Sequence, residues 1–283
     1  MSGINLTGAM RSNLLSLNNT QNLINSTQNR LATGLKVSSA IDDPRNFFQA
    51  QSLNNRASDL SRRLDGMGLA VKTFEAADKG IKAMTKIVES MSALVREAKD
   101  ATGEDDAAVS AIRETLRGQY EDLRGQLEDI ASDSGFNGIN LLGGDTLNVD
   151  FNEDGSSSLS RVGIDYTDST DAAGLDIAAP AADAWDVADP DFDFDDLITG
   201  LSDSINGLRT QAATLGSDLT LVRIREDFTK DMVNTLKAGA DGLVLADQNE
   251  EAANLLSLQT SQQLGIQALS LAAQSQQGIL RLF

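Results

Sequence analysis

The carboxylates supply the one constellation in this chain with metal-ligand spacing. Asp189, Asp191 and Asp193 stand at alternate positions, with Asp195 and Asp196 beyond them. A calcium loop of the EF-hand kind starts this way, but it needs glycine at its sixth position for a sharp turn and glutamate at its twelfth to close the ligand shell. Phe194 and Gly200 hold those positions. A solvated acidic loop is therefore expected, with no metal or other cofactor. The chain contains no histidine and no cysteine. That removes the commonest general base, disulfides and thiolate zinc sites. No nucleophile–base pair and no phosphate-cradling loop is visible, so no catalytic residue is expected and the function is read as non-enzymatic.

The acid is concentrated. Lys and Arg number 23 against 42 Asp and Glu, a formal charge of −19, and residues 145–198 hold fourteen Asp and one Glu against one Arg, net −14. Residues 167–196, with Pro180 and Pro190, are expected to face solvent, since so much like charge cannot be packed together. Strong acidity argues against nucleic acid and anionic membrane surfaces as partners.

The two ends are different. Residues 1–41 contain Arg11, Arg30 and Lys36 but no acid, and residues 252–280 contain no charged side chain. Leu17, Ile24 and Leu31 stand seven apart, with Leu14 on the same side and Gln21 and Gln28 between. In the last stretch Leu255, Leu269 and Phe283 share one heptad row, Leu264 and Leu271 another, and Ile266 and Leu280 a third; Leu258 opens a further turn. A helix apolar all round is buried or spans a membrane. Gln259, Gln262, Gln263, Gln267 and Gln274 would carry amides into hydrocarbon, so membrane insertion is not expected. Each end wants a partner, first the other end and then neighbouring copies of the chain. The opening residues lack a basic region followed by an apolar run, so a Sec-type signal peptide is not expected.

Long helices must position these ends. Leu53, Leu60, Met67, Phe74, Ile81, Val88 and Val95 recur every seven residues, with Ala70, Ala77, Met84, Met91 and Ala98 three positions on. The spacing predicts a helix over 45–99, roughly 80 Å at 1.5 Å per residue. Asp42, Asp43 and Pro44 read as its cap and first position. Val109, Leu116, Tyr120, Leu127 and Ile130 mark a third helix ending at Asp133-Ser134-Gly135. Leu147, Val149 and Phe151 alternate, Asn152-Glu-Asp-Gly155 reads as a turn, and Val162, Ile164 and Tyr166 read as the return strand. Leu201, Leu208, Leu215, Val222, Leu236 and Leu243 then resume the heptads; Glu226 and Thr229 interrupt their level, which suggests a stutter or a polar contact between subunits. The second long helix is the antiparallel partner of the first. The fold expected is mainly α: a long antiparallel helical hairpin or coiled-coil bundle with a small β-hairpin region, the terminal helices pairing as a core domain.

Arg30-Leu-Ala-Thr-Gly-Leu-Lys-Val-Ser-Ser-Ala-Ile-Asp-Asp43 and Phe136-Asn-Gly-Ile-Asn-Leu-Leu142 resemble the amino-terminal signatures of bacterial flagellin. Leu258-Gln-Thr-Ser-Gln-Gln-Leu-Gly-Ile-Gln-Ala-Leu269, with Ile279-Leu-Arg-Leu-Phe283, resembles its carboxy-terminal core segment. The resemblance covers residues 1–165 and 197–283. It implies a subunit that self-assembles into the helical filament of the flagellum for motility, secreted unfolded through the flagellar type III export apparatus to the outside of the cell. Export chaperone, cap and hook-junction proteins are the partners it implies. It divides the chain into 1–43 and 246–283 as the two parts of a filament core domain, 44–166 and 197–245 as the two parts of an outer helical domain, and 167–196 as an acidic exposed insert. Val95-Arg-Glu-Ala-Lys99 has alanine where flagellins sensed by the vertebrate Toll-like receptor carry leucine, so that recognition is not among the expectations. A hook–filament junction protein and an intracellular coiled-coil scaffold are the alternative readings.

Overall fold

The heptad rows become buried seams. The computed structural model describes residues 8–102, 106–181, 185 and 192–280, with side chains as far as residue 275. Its elements run α1 (Gly8–Thr33), α2 (Pro44–Asp100), α3 (Asp106–Asp133), β1 (Thr146–Asp150), β2 (Ser158–Val162), α4 (Phe194–Val244) and α5 (Gln248–Leu280). The chain divides into two compact units, Met1–Arg56 with Asn234–Phe283, and Ala57–Val233. Helices α2 and α4 contribute to both.

In the Ala57–Val233 unit, Leu60, Met67, Phe74, Ile81, Val88 and Val95 of α2 are buried, as are Ala70, Ala77, Met84, Met91 and Ala98. Leu201, Leu208, Leu215 and Val222 of α4 belong to the same core. The two helices are antiparallel: Lys99 pairs with Asp195, and Glu75, nearer the start of α2, pairs with Arg223 farther along α4. Helix α4 passes Glu226 and Thr229 without a break. Thr229 takes a buried seam position and Glu226 pairs with Lys230 at 2.6 Å, so no stutter is needed.

Helix α3 lays Leu116, Tyr120, Leu127 and Ala131 on this core. Arg113 fixes its start. The guanidinium donates to the carbonyls of Ala98 (3.0 Å) and Ala101 (3.2 Å) and lies over the Phe194 ring at 5.2 Å, a cation where α2 exposes its unsatisfied carbonyls. Asn140 ends α3, its amide donating to the carbonyls of Ala131 and Ser132 at 2.8 and 3.0 Å. Just before it, Asn137 and Gly138 both have positive φ (52° and 78°), while Phe136 and Ile139 exchange backbone bonds of 2.9 and 3.1 Å. Asn-Gly is the pair that a turn with two left-handed residues prefers. The turn delivers Leu141 and Leu142, both fully buried.

Strands β1 and β2 pair antiparallel from Thr146↔Val162 to Asp150↔Ser158. Leu147 and Val149 face the core. Arg161 makes a two-point contact with Asp218 of α4, Arg63 of α2 reaches Asp150 at 3.3 Å, and Arg225 lies 5.4 Å over the Phe151 ring.

Two expectations need correction. The return strand is Ser158–Val162, earlier than the Val162, Ile164 and Tyr166 alternation suggests. Ile164 and Tyr166 donate instead to the carbonyls of Leu141 (3.0 Å) and Leu142 (2.8 Å), so their alternation reports packing on that turn. A Cβ at Gly163 would strike the Leu141 carbonyl oxygen, which shows how closely the segments approach. The acidic stretch, in turn, is not wholly exposed. Asp168, Asp171 and Asp176 face solvent, but Ser169, Leu175, Ile177 and Trp185 are buried. Ser169 donates to Glu128 at 2.6 Å, Ser204 to the Leu175 carbonyl at 2.6 Å, and Tyr120 to the Ala178 carbonyl at 2.9 Å. Burial among these groups raises the Tyr120 pKa above the ordinary phenol value. Trp185 packs against Tyr120 (5.6 Å) and Phe194 (5.6 Å). Few as they are, these apolar side chains anchor the segment, and the carboxylates of Asp168, Asp171 and Asp176 point away.

In the other unit α1 stops at Gly34 (φ 72°), whose N–H returns to the Arg30 carbonyl at 2.8 Å. The chain then pairs briefly with the end of α4: Lys36 N–H donates to Val244 and Ala246 N–H to Gly34. Asp42 gathers the Ser38 and Ser39 backbone and hydroxyl groups on one carboxylate oxygen. These bonds, the Ser38 hydroxyl's foremost, hold its pKa below the usual carboxylate value. Asp43 caps α2 through the Asn46 N–H (3.1 Å), and Asp247 caps α5 through the Asn249 N–H (2.9 Å).

Candidate assembly site

Helices α1 and α5 pair antiparallel. Arg30 meets Glu251 at 3.1 Å and Gln21 accepts from Gln262 at 2.5 Å. Farther along, Leu17 Cδ2 comes within 3.1 Å of where a Gly265 Cβ would stand. The least exposed residues repeat in heptads: Met10, Leu17, Ile24 and Leu31 with Thr20 and Thr27 on α1, and Glu251, Leu255, Leu258, Gln262, Gly265, Leu269 and Ala272 on α5. Threonines and glutamines at seam positions make the pair weaker and more definite in alignment than an all-leucine zipper.

The remaining apolar residues point away. Leu14, Leu15 and Leu23 of α1 are exposed, and so are Leu256, Leu264 (61%), Ile266 (54%) and Leu271 (70%) of α5. The predicted core residues thus fall into two sets. Leu17, Ile24, Leu31, Leu255, Leu258 and Leu269 lie on the seam, while Leu14, Leu264, Ile266 and Leu271 lie outside it. The side chains of Leu280 and Phe283 lie outside the described residues. Of the long-helix rows in this unit, Leu236 is buried, and Leu53 and Leu243 are half-buried.

Sequence reasoning missed Leu15, Leu23 and Leu256, and also the Arg30–Glu251 pair. The pair had a signal: Glu251 is the last acid before the uncharged run, and Arg30 the last-turn cation of α1. Of the acidic cluster, Asp189 and Asp191 lie outside the described residues. Asp193 accepts the Asp195 N–H at 2.7 Å at the start of α4, and Asp195 binds Lys99. Among the described residues no group of three metal-ligating side chains converges, and no helix is long and apolar enough to cross a membrane.

Two family profiles match this chain. The bacterial flagellin N-terminal helical region covers residues 4–146, and the bacterial flagellin C-terminal helical region covers residues 198–283. The chain belongs to the bacterial flagellin family. Flagellin of Brucella melitensis biotype 1 is 29% identical over 285 residues, covering 95% of each chain. Flagellin FljK of Caulobacter vibrioides is 29% identical over 294 residues, covering 100% of this chain and 99% of its own. A crystal structure of Bacillus cereus flagellin covers 57% of this chain and 86% of its own at TM-score 0.47 and 17% identity. This flagellin is a structural subunit of the flagellar filament, and the junction-protein and scaffold readings are not favoured. Its signature residues have local physical jobs. Gly34 and Asp42 shape the turn between α1 and α2, and Asn137, Gly138 and Asn140 shape the one after α3.

Proposed function

We propose that the outward apolar residues of α1 and α5, Leu14, Leu15, Leu23, Leu256, Leu264, Ile266 and Leu271, are the dry contact between copies of this flagellin in the filament. The observation that carries it is their exposure at helical spacing on two helices whose only charges are Arg11, Arg30, Glu250 and Glu251, and whose other faces are already paired. Large apolar side chains left exposed in this number on two neighbouring helices mark an interaction site. Open polymers need contacts between non-identical patches, and two unlike helices side by side supply them. The seams of the Ala57–Val233 unit hold the subunit itself, and the protein's role is structural rather than catalytic. The exposed carboxylates of the acidic segment face the outside of the filament, because like charges packed between copies would repel. The same apolar ends support export to the cell exterior in unfolded form, with a chaperone covering them, and the cap and hook-junction proteins as further family partners.

The chain has no cysteine, so a single one is a clean probe. Leu271→Cys should react quickly with a charged thiol reagent in the dilute subunit and slowly in sedimented filaments. Equal labelling in both states would overturn the assignment.

A further inference from the structure

We propose that the loop entering α2 is a knob that seats in a groove between α2 and α4 of a neighbouring copy. This rests on the filament reading above and names a second contact within it.

Ile41 is 94% exposed, and the loop behind it is tightly held. Asp42 Oδ2 accepts from both Ser38 and both Ser39 donors, Ile41 N–H donates to Ser39 Oγ at 3.3 Å, and Asp42 N–H to the Ser39 carbonyl at 3.1 Å. A loop ordered by that many bonds around an isoleucine presented to water is built to display it. Phe48, 58% exposed, follows on the first turns of α2, its ring braced edge-on by Phe47 at 5.5 Å. Arg45 lies three residues before Phe48, hence on the same face. It is exposed and pairs with no acid among the described residues. The first turn of α2 contains no acid, and a cation there adds to the positive end of the helix dipole. The knob is apolar with Arg45 on its outer flank; the carboxylates of Asp42 and Asp43 are engaged behind it, by Ser38 and Ser39 and by Asn46.

The groove is complementary. It holds about 610 Å³ and is lined by Leu64, Asp65, Gly68 and Leu69 of α2 with Glu226 and Lys230 of α4. Leu64 and Leu69 supply apolar walls, and a Cβ at Gly68 would meet open space. Glu226 is already paired with Lys230, whereas Asp65 is exposed without a cation among the described residues. Ile41 and Phe48 match the walls, and Arg45 matches Asp65. A knob and a groove built from different residues make a heterologous contact, which can propagate without closing into a ring. That is the contact type an open filament requires.

The test uses the full chain. Ile41→Cys with Gly68→Cys, polymerised under reducing conditions and then oxidised, should give a ladder of covalent oligomers on a denaturing gel. The dilute subunit should give none. Arg45→Asp should raise the critical concentration for seeded growth at least tenfold, and adding Asp65→Arg should restore it to within about threefold. Filaments of the double-cysteine chain without a ladder overturn the knob while leaving the filament reading intact. An unchanged critical concentration in Arg45→Asp, or no rescue by Asp65→Arg, overturns it also. Failure of the unmodified chain to polymerise on seeds would remove the filament reading and the knob with it.

Discussion

Leu271 is 70% exposed in the subunit, so most of its transfer free energy remains to be gained on assembly. Fully burying a leucine is worth about 1.5–3 kcal/mol. Seven-tenths of that leaves about 1–2 kcal/mol for the contact between copies. At 1.4 kcal/mol per tenfold, Leu271→Ala should raise the critical concentration for filament growth by about 5- to 30-fold. The subunit should be untouched, because substitutions at exposed positions usually change stability by less than about 0.5 kcal/mol. The assay is paired: sedimentation of seeded polymer across a concentration series, and thermal melting of the dilute subunit by circular dichroism. A critical concentration unchanged within twofold would refute the placement of Leu271 in the contact. A melting temperature lowered by many degrees would place Leu271 in the fold of the subunit instead.

Trp185→Ala should destabilise the Ala57–Val233 unit by about 3–5 kcal/mol, the usual cost of emptying a large buried aromatic site. The indole N–H has no partner among the described residues, so the loss is one of packing; denaturant titration followed by far-ultraviolet ellipticity measures it, and a loss below about 1 kcal/mol would mean that the acidic segment is not docked. Asp42 supplies a pH-dependent term. Its folded pKa is depressed, so its contribution is present above the ordinary aspartate value of about 3.9 and is lost as pH falls through the lower folded value. The melting-temperature gap between the native chain and Asp42→Asn should be full at pH 6 and close on acidification below pH 4; a gap that widens there would contradict the bonding of the Ser38–Asp42 loop.

Periodicity made the long helices legible. Seven α2 positions and four in the first part of α4 carry apolar residues at a constant interval, and only a helix packed along its length requires that. Caps were legible for the same local reason: Asp43-Pro44 can hardly mean anything else. The faces of α5 were not. With leucine or isoleucine at 255, 256, 258, 264, 266, 269 and 271, spacing alone cannot separate the residues turned to α1 from those turned outward. That depends on the alignment set by Arg30–Glu251 and Gln21–Gln262, contacts spanning more than 220 residues of chain. The acidic segment misled because its charge is dense and its anchors sparse. Leu175, Ile177 and Trp185 are few beside the aspartates, yet burial is decided by where three side chains land. The return strand misled because Val162, Ile164 and Tyr166 alternate for a reason other than sheet pairing.

The tip of the β-hairpin has a consequence for how such a chain can be altered. Strand pairing ends at Asp150↔Ser158, and the loop closes on itself through Phe151 N–H to the Ser157 carbonyl at 2.8 Å, with Gly155 at φ 72°. Below it the strands are riveted to α2 and α4 by Arg63–Asp150 and Arg161–Asp218. Lengthening an already closed surface loop costs little, about 0.6 kcal/mol per doubling. Foreign peptide spliced between Asp154 and Gly155 would therefore ride on an undisturbed scaffold, and polymerisation would multiply it into a regular display array, one copy per subunit.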